Sequence, residues 1–389
     1  MIAYNHTSLD NLLINEEASV ALNNELISKE EADAIKNVYP VNLYTPNLFI
    51  RIGLFLLTVV IVLMGFGLFW LLTKIESEKG IGTLVLIVSL MLYTALEFLI
   101  REKKHYRSGI DDALLWLSIA FMSIAAALLF PYISFLARSV LIFILTFYIL
   151  LRFGNILISG LVYLSFLAIV FYAVIRLGDV AKIIMPFLLM AISFFVYWLM
   201  KKNKHNSRVK YYKTSCTFVE ILALVTLYAA GNYFVVREVS NSMFELGLKE
   251  GESIPGGWFF WITTILLPIA YIFRGIQKKD VVILRTGLVL VAAIVCTIRY
   301  YHHIAPLEVA ITIGGIIMII IAYAITKYLT TPRHGFTHAE PNDPALAGWL
   351  QVESLVVTQT FHQTTPVETV DQTKFGGGSG GGGGATGGF

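Results

Sequence analysis

Long apolar runs separated by short polar stretches occupy residues 47–329 of the chain. About 20 consecutive apolar residues let a helix cross the hydrocarbon layer of a membrane, and an open strand cannot satisfy its backbone groups in lipid. The pattern therefore predicts an all-α polytopic membrane protein with about ten transmembrane helices. The predicted spans are 48–73, 81–100, 113–130, 133–151, 155–175, 181–200, 214–236, 258–273, 281–298 and 306–328.

Arg138 lies inside the fourth predicted span, 133–151. An even number of spans places both chain ends on the same side of the membrane. If the fourth run were re-entrant or did not cross, the total would fall to eight or nine, and nine would put the two ends on opposite sides.

The positive charge of the loops predicts how the spans are oriented. The loop at residues 201–213 holds six Lys or Arg among its thirteen residues and no acidic residue. With the N-terminus in the cytoplasm, 21 of the 29 Lys and Arg lie on the cytoplasmic side, and the reverse orientation inverts this asymmetry. Lys and Arg are enriched in cytoplasmic loops. We therefore expect both termini in the cytoplasm.

The polar residues 1–46 predict a small helical segment on the cytoplasmic face. Ser28 and Glu31 have the spacing of a capping box, in which the hydroxyl accepts a free N–H of the first helical turn and the carboxylate accepts the N–H of the capping residue. A helix over 29–38 that stops before Pro40 follows from this spacing. An earlier helix is predicted over about 9–26.

Residues 330–374 form a second polar region, predicted to be a cytoplasmic tail. Asp343 followed by Pro344 favours a helix start, and the predicted helix over 344–357 has an apolar face suited to a membrane surface or a partner. Residues 375–389 are rich in glycine, which predicts disorder. The two polar ends are therefore the regions where a protein partner could bind.

Composition narrows the function classes. The chain is 57% hydrophobic and 14% charged, whereas soluble domains are about 45–50% apolar and about 25% charged. The bilayer is thus the expected surrounding, and the short basic loops do not predict nucleic-acid binding. Cys216 and Cys296 both fall inside apolar runs, so no disulfide is predicted. We find no metal-ligand spacing, cofactor motif or catalytic motif, and we expect no enzyme activity.

Polar groups inside predicted spans are the default functional candidates, because burying them in lipid is costly. These residues are Glu97, Arg138, Glu220, Asn232 and Glu308. The carboxylates suit a proton or cation route. A structural role is the alternative, since Glu97 can pair with Arg101 one turn on and the long side chain of Arg138 can reach the interface.

Helix-breaking residues in three spans have two interpretations. Pro186, Pro268 and the pair Gly314 and Gly315 could mark discontinuous helices that line a transport site. Proline kinks and close packing of small residues also occur in ordinary helix bundles.

Several stretches carry a resemblance to a known group of proteins. These stretches read ELISKEEADAI, RIGLFLLTVVIVLMGFGLFW, GNYFVVREVSN, WFFWITTILLPIAYIF and RYYHHIAPLEVAITIGG. They resemble uncharacterised bacterial multi-pass membrane proteins with domain of unknown function 2157. The resemblance implies a protein of the bacterial inner membrane with no assigned activity, and it brings no catalytic residues to this chain.

The sequence leads to two functional hypotheses. The first is a non-enzymatic role as a scaffold, assembly factor or sensor, because chemical motifs are lacking and two polar cytoplasmic ends are predicted. The alternative is a transporter or channel for a small solute or ion that uses Glu97 and Glu220.

Overall fold

The computed structural model describes residues 2–204, 206–244, 252–254 and 256–302, together with eight scattered positions between 309 and 327. These residues belong to one compact unit. Their secondary structure is helical, and the one isolated β-bridge among them pairs Tyr44 with His105. The predicted all-α class is therefore confirmed for the described part of the chain.

Between residues 2 and 302, the described part of the chain forms twelve α-helices and two short 3₁₀ segments, joined by turns. The α-helices are α1 His6–Asn23, α2 Lys29–Val38, α3 Leu48–Thr73, α4 Glu78–Lys103, α5 Ile110–Leu129, α6 Phe135–Phe153, α7 Ile156–Val174, α8 Asp179–Asn203, α9 Lys213–Gly231, α10 Tyr233–Phe244, α11 Gly257–Lys278 and α12 Val281–His302. The 3₁₀ segments are Ile175–Leu177 and Ser207–Tyr212.

Nine helices of the described part are long and apolar enough to cross a membrane, namely α3 to α9, α11 and α12. The fourth predicted span, 133–151, is one of them, since α6 is a continuous helix of 19 residues. The tenth predicted span, 306–328, lies outside the described residues apart from scattered positions. The predicted tail 330–374, its helix over 344–357 and the glycine-rich end 375–389 also lie outside them.

Side-chain caps set where the first helices begin. The capping box is confirmed: Glu31 N donates to Ser28 Oγ at 3.2 Å, and Ser28 N donates to the Glu31 carboxylate at 2.8 Å. Helices α2 and α3 both have the predicted limits. Asn47 caps the start of α3, where its side chain accepts from the N–H of Ile50. Helix α1 begins earlier than predicted because Asn5 accepts from two free N–H groups of its first turn.

The seventh predicted span, 214–236, is wrong as a single helix. Helix α9 ends at Gly231, and a separate helix, α10, begins at Tyr233. Asn232 between them has an extended backbone (φ −82°, ψ 127°) and is buried. The chain is consequently helical beyond the predicted end of this span, as far as Phe244.

The transmembrane helices pack mainly against the helices next to them in the sequence. Two helices, α5 and α9, occupy central positions. Helix α5 packs against α4 and α3, and α9 packs against α7, α8, α10, α11 and α12. The α11–α12 pair is especially close at Gly275, where an added Cβ would lie 2.7 Å from the backbone nitrogen of Leu284. Helices α5 and α6 touch at few points, which leaves a groove between them.

Candidate functional site

Glu97 lies in an ionic cluster near the end of α4. Arg152 of α6 donates from Nε and a terminal nitrogen to the two carboxylate oxygens of Glu97, each at 2.8 Å. Arg101 approaches the same carboxylate at 3.2 Å, so the predicted pair one turn apart is confirmed. The Tyr93 hydroxyl donates to Glu97 at 3.0 Å and lies 3.1 Å from the hydroxyl of Tyr148. This arrangement ties α4 to α6.

A second ion pair joins three further helices at the same end. Arg51 at the start of α3 donates to Asp112 of α5 from Nε at 3.0 Å and from a terminal nitrogen at 2.5 Å. Asn155, the residue that caps α7, donates to the other oxygen of Asp112 at 3.1 Å. The pair therefore anchors α3, which has few other polar contacts to the bundle.

The turn before α5 requires a glycine beside this ion pair. Gly109 has φ +93°, a backbone region that L-residues with side chains rarely adopt. An added Cβ would lie 2.1 Å from the carbonyl oxygen of Arg51. The Asp111 carboxylate accepts from the backbone N–H groups of Ser108 and Gly109, which fixes the turn. The close approach of α3 to the 104–112 loop depends on this geometry.

The N-terminal segment is fixed to the loops at this end. The backbone N–H of Ala3 donates to the carbonyl of Arg152 at 2.8 Å, and Tyr44 exchanges backbone hydrogen bonds with Lys104 and Tyr106. We call this end of the bundle the loop face; it comprises residues 2–10, 44, 104–112, 151–155 and 206–212. Three connections that the topology prediction assigned to one side of the membrane thus meet at one end.

Helix α1 is bound to the basic connection between α8 and α9. Lys210 lies 2.6 Å from the Asp10 carboxylate, and the hydroxyl of Tyr211 donates to it at 2.9 Å. The hydrogen bond from Lys210, with help from that of Tyr211, holds the pKa of Asp10 below its ordinary value. Tyr4 lies edge-on to Tyr106 with ring centroids 4.9 Å apart, and burial raises the pKa of Tyr4.

Asn232 organises a buried break in the membrane domain. Its amide nitrogen donates to the Tyr228 hydroxyl at 2.8 Å and to the Thr297 hydroxyl at 3.1 Å, while its oxygen accepts from the N–H of Val235. Two threonines of α11 complete the site: Thr263 donates to the carbonyl of Gly231, and Thr264 accepts from the N–H of Tyr233 at 2.9 Å. Irregular backbone in a membrane requires such partners.

The remaining predicted candidates are not brought together. Glu220 is buried within α9, with 2% of its surface exposed. Arg138 of α6 is half-buried, and its guanidinium carbon lies 5.7 Å from the ring centroid of Phe135. Glu308 lies outside the described residues. Pro186 and Pro268 lie inside helices that continue past them, so neither marks a discontinuous helix.

Sequence reasoning missed the partners that cross between helices. Arg152, Asp112 and the threonines of α11 were not among the candidates. A third such pair joins Lys201 at the end of α8 to Asp280, which caps α12, at 2.6 Å. The position of these charged residues could have identified them, because each falls within the first or last two turns of an apolar run.

Among the described residues, no group of three or more His, Cys, Asp or Glu side chains is placed to hold a metal ion. Cys216 and Cys296, both within the described range, are free thiols.

These features define the class: a helical multi-pass membrane protein with a polar N-terminal segment folded onto one end of its bundle. Comparisons with protein-family models, with curated proteins and with solved structures found no match for the chain.

Proposed function

We propose that the protein is a non-enzymatic scaffold, assembly factor or sensor of a bacterial inner membrane, with the loop face and both termini in the cytoplasm. The resemblance to proteins with domain of unknown function 2157 is part of this proposal. The observation that supports it best is the helix pair α1–α2, which is held on the loop face and presents apolar side chains to water.

The exposed apolar side chains lie on and around α2. Leu26 and Val38 are 68% and 69% exposed, and Tyr39 is 40% exposed. The pair itself is held together, because Asn11 and Asn15 of α1 donate to the carbonyls of Pro40 and Tyr39 at 2.8 and 3.0 Å. Leu26 precedes α2 and Val38 ends it, so exposed apolar side chains lie at both ends of this helix. They fit a partner that docks on α2.

Site-specific photo-crosslinking tests the docking role. A photoreactive phenylalanine at Val38 in the full chain should give one cross-linked partner in membranes. The same group at Tyr132, which is 99% exposed in the turn between α5 and α6, is the matched control and should not capture that partner. The proposal is overturned if the photoreactive group at Val38 captures no partner and the chain purifies as a monomer in mild detergent.

Cysteine labelling tests the orientation. In a chain freed of Cys216 and Cys296, a single cysteine at Lys202 should react with an impermeant maleimide only after the membrane is opened. A cysteine at Tyr132 should react in intact cells. The reverse result would refute the cytoplasmic placement of the loop face without affecting the docking experiment.

The second candidate function is transport of a small solute or ion. The buried carboxylate of Glu220 and the break at Asn232 favour it, since discontinuous helices form many transport sites. The two hydrogen bonds that Arg152 donates to Glu97 favour a structural role for Glu97. If the combined change Glu97→Gln and Glu220→Gln leaves proton and cation flux in proteoliposomes equal to that of the exposed control Glu102→Gln, this candidate is excluded.

A further inference from the structure

An apolar groove runs along one face of α6. Its volume is about 500 Å³. Helix α5 contributes a single side chain and α6 the rest; the lining residues are Met122, Ala137, Val140, Leu141, Ile144, Leu145 and Tyr148. Val140, Ile144 and Tyr148 are exposed, so the groove opens sideways, toward the lipid of a membrane.

The groove has the length of an acyl chain in one leaflet. From Ala137 to Tyr148 the helix rises roughly 16 Å at about 1.5 Å per residue. One leaflet contributes about half of the roughly 30 Å hydrocarbon layer. The lining positions recur every three or four residues, which places them on one continuous stripe of α6. A single extended chain therefore fits the groove lengthwise.

One end of the groove is polar and carries positive charge. The hydroxyl of Tyr148 is hydrogen-bonded to Tyr93, and Tyr93 to Glu97, the carboxylate that binds Arg152 and Arg101. The single negative charge of Glu97 thus neutralises only one of the two positive charges of Arg101 and Arg152. The side chain of Arg101 is 64% exposed, and the residues that follow it, Glu102, Lys103 and Lys104, are exposed and carry a net charge of +1. The end of the groove therefore has a surplus of positive charge at the level where lipid headgroups lie.

We propose that this groove binds one anionic phospholipid, with an acyl chain between α5 and α6 and the phosphate against Arg101. The headgroup decides the selectivity, because lipid tails are as apolar as the groove walls and give no preference between lipids. One Arg near an anionic surface contributes about 1 kcal/mol, which corresponds to about a fivefold preference.

Lipid retention in nanodiscs tests this site. The full chain is reconstituted in phosphatidylcholine with a minor fraction of phosphatidylglycerol, and lipids that remain bound are counted by native mass spectrometry. We expect one phosphatidylglycerol per chain. Leu141→Trp fills the middle of the groove and should abolish its retention. Leu164→Trp places the same side chain on the exposed surface of α7 and should leave retention unchanged.

A second pair of variants tests the headgroup. Arg101→Gln should lower the preference for phosphatidylglycerol over phosphatidylcholine about fivefold. Lys79→Gln removes an equal charge at the other end of the same helix and should have no effect. Both positions are exposed, so the variants should fold, as circular dichroism will verify. The proposal is overturned if the two lipids are retained in proportion to their supply. It is also overturned if two copies of the Ile144→Cys chain cross-link to each other, because a second chain would then cover the groove.

Discussion

Helices α3 and α9 are both membrane-spanning by length and composition, yet their surroundings are opposite. No residue of α3 is buried, whereas nine of the 19 residues of α9 are buried. Helix α3 has the highest mean hydropathy of the nine candidate spans in the described part, and α9 has the lowest. In a bilayer, then, an apolar surface indicates contact with lipid, and polar side chains indicate contact with other helices.

The physical reason is that lipid solvates apolar side chains as well as a protein core does. Helices associate in membranes through close packing and hydrogen bonds rather than through a hydrophobic driving force. Helix α9 carries the groups that need protein partners, among them Glu220 and Tyr228. Helix α3 is held by the Arg51–Asp112 ion pair and by an edge contact between the rings of Phe66 and Phe121, 5.0 Å apart.

The largest effect is expected at the end of α9. Asn232→Leu removes the cap of α10 and leaves the hydroxyls of Tyr228 and Thr297 with one partner fewer. A lost cap costs about 1 kcal/mol, and buried polar groups left unsatisfied cost about 1–3 kcal/mol. We expect the free energy of unfolding to fall by about 3 kcal/mol, measured by denaturant titration in bicelles.

The control for this change lies on α3. The Thr58 hydroxyl donates to the carbonyl of Leu54 in its own helix, at 2.7 Å. Thr58→Val should therefore change the free energy of unfolding by less than about 0.5 kcal/mol. Equal effects at Thr58 and Asn232 would contradict the contrast between the two helices.

A packing change in α9 should come next in size. Leu224 is 2% exposed, and Leu224→Ala leaves a cavity on the buried side of α9. Such changes cost about 2–5 kcal/mol in soluble proteins. Because the unfolded reference state stays in lipid, we expect the lower end, about 2 kcal/mol, in the same titration. A loss below about 0.5 kcal/mol would show that α9 is not tightly packed.

A smaller effect is expected when α3 is released from the bundle. Arg51→Gln breaks the pair with Asp112, whose two side chains are 36% and 14% exposed. Pairs so close to solvent contribute about 1 kcal/mol or less. We expect faster hydrogen exchange in the first turns of α3 and an unchanged rate in α9. Lys74→Gln, at the exposed far end of α3, is the matched control; if it loosens the helix equally, the ion pair is not the anchor.

The smallest effect is expected on the lipid-facing side of α3. Leu56 is 57% exposed, so Leu56→Ala exchanges one lipid contact for another. We expect a change in the free energy of unfolding below about 0.5 kcal/mol. A loss as large as that of Leu224→Ala would mean that this surface is covered by protein in the membrane.

Much of the architecture could be predicted from the sequence because hydropathy and capping are local properties. The limits of α3 and the capping box at Ser28 depend on residues within a few positions of one another, and both predictions are confirmed. Arg138 does not interrupt the fourth span, since α6 continues through that residue as one helix.

The site could be predicted only in part because its contacts cross between helices. Glu97 was identified as a candidate, but its main partner, Arg152, lies 55 residues further along the chain. An apolar run does not reveal how its helix is rotated, so the faces that meet could not be inferred. The break at Asn232 was missed for the same reason, since it depends on Thr263 and Thr264 of another helix.

The anchoring of α1 on the loop face has a consequence for biosynthesis. Asp10 and its partner Tyr211 are separated by 201 residues, and ribosomes add about 5–20 residues per second. The first helix therefore waits roughly 10–40 seconds for its binding surface, while six spans enter the bilayer. Its polar composition lets it remain dissolved during that interval, so docking of α1 reports that the first half of the protein has been inserted.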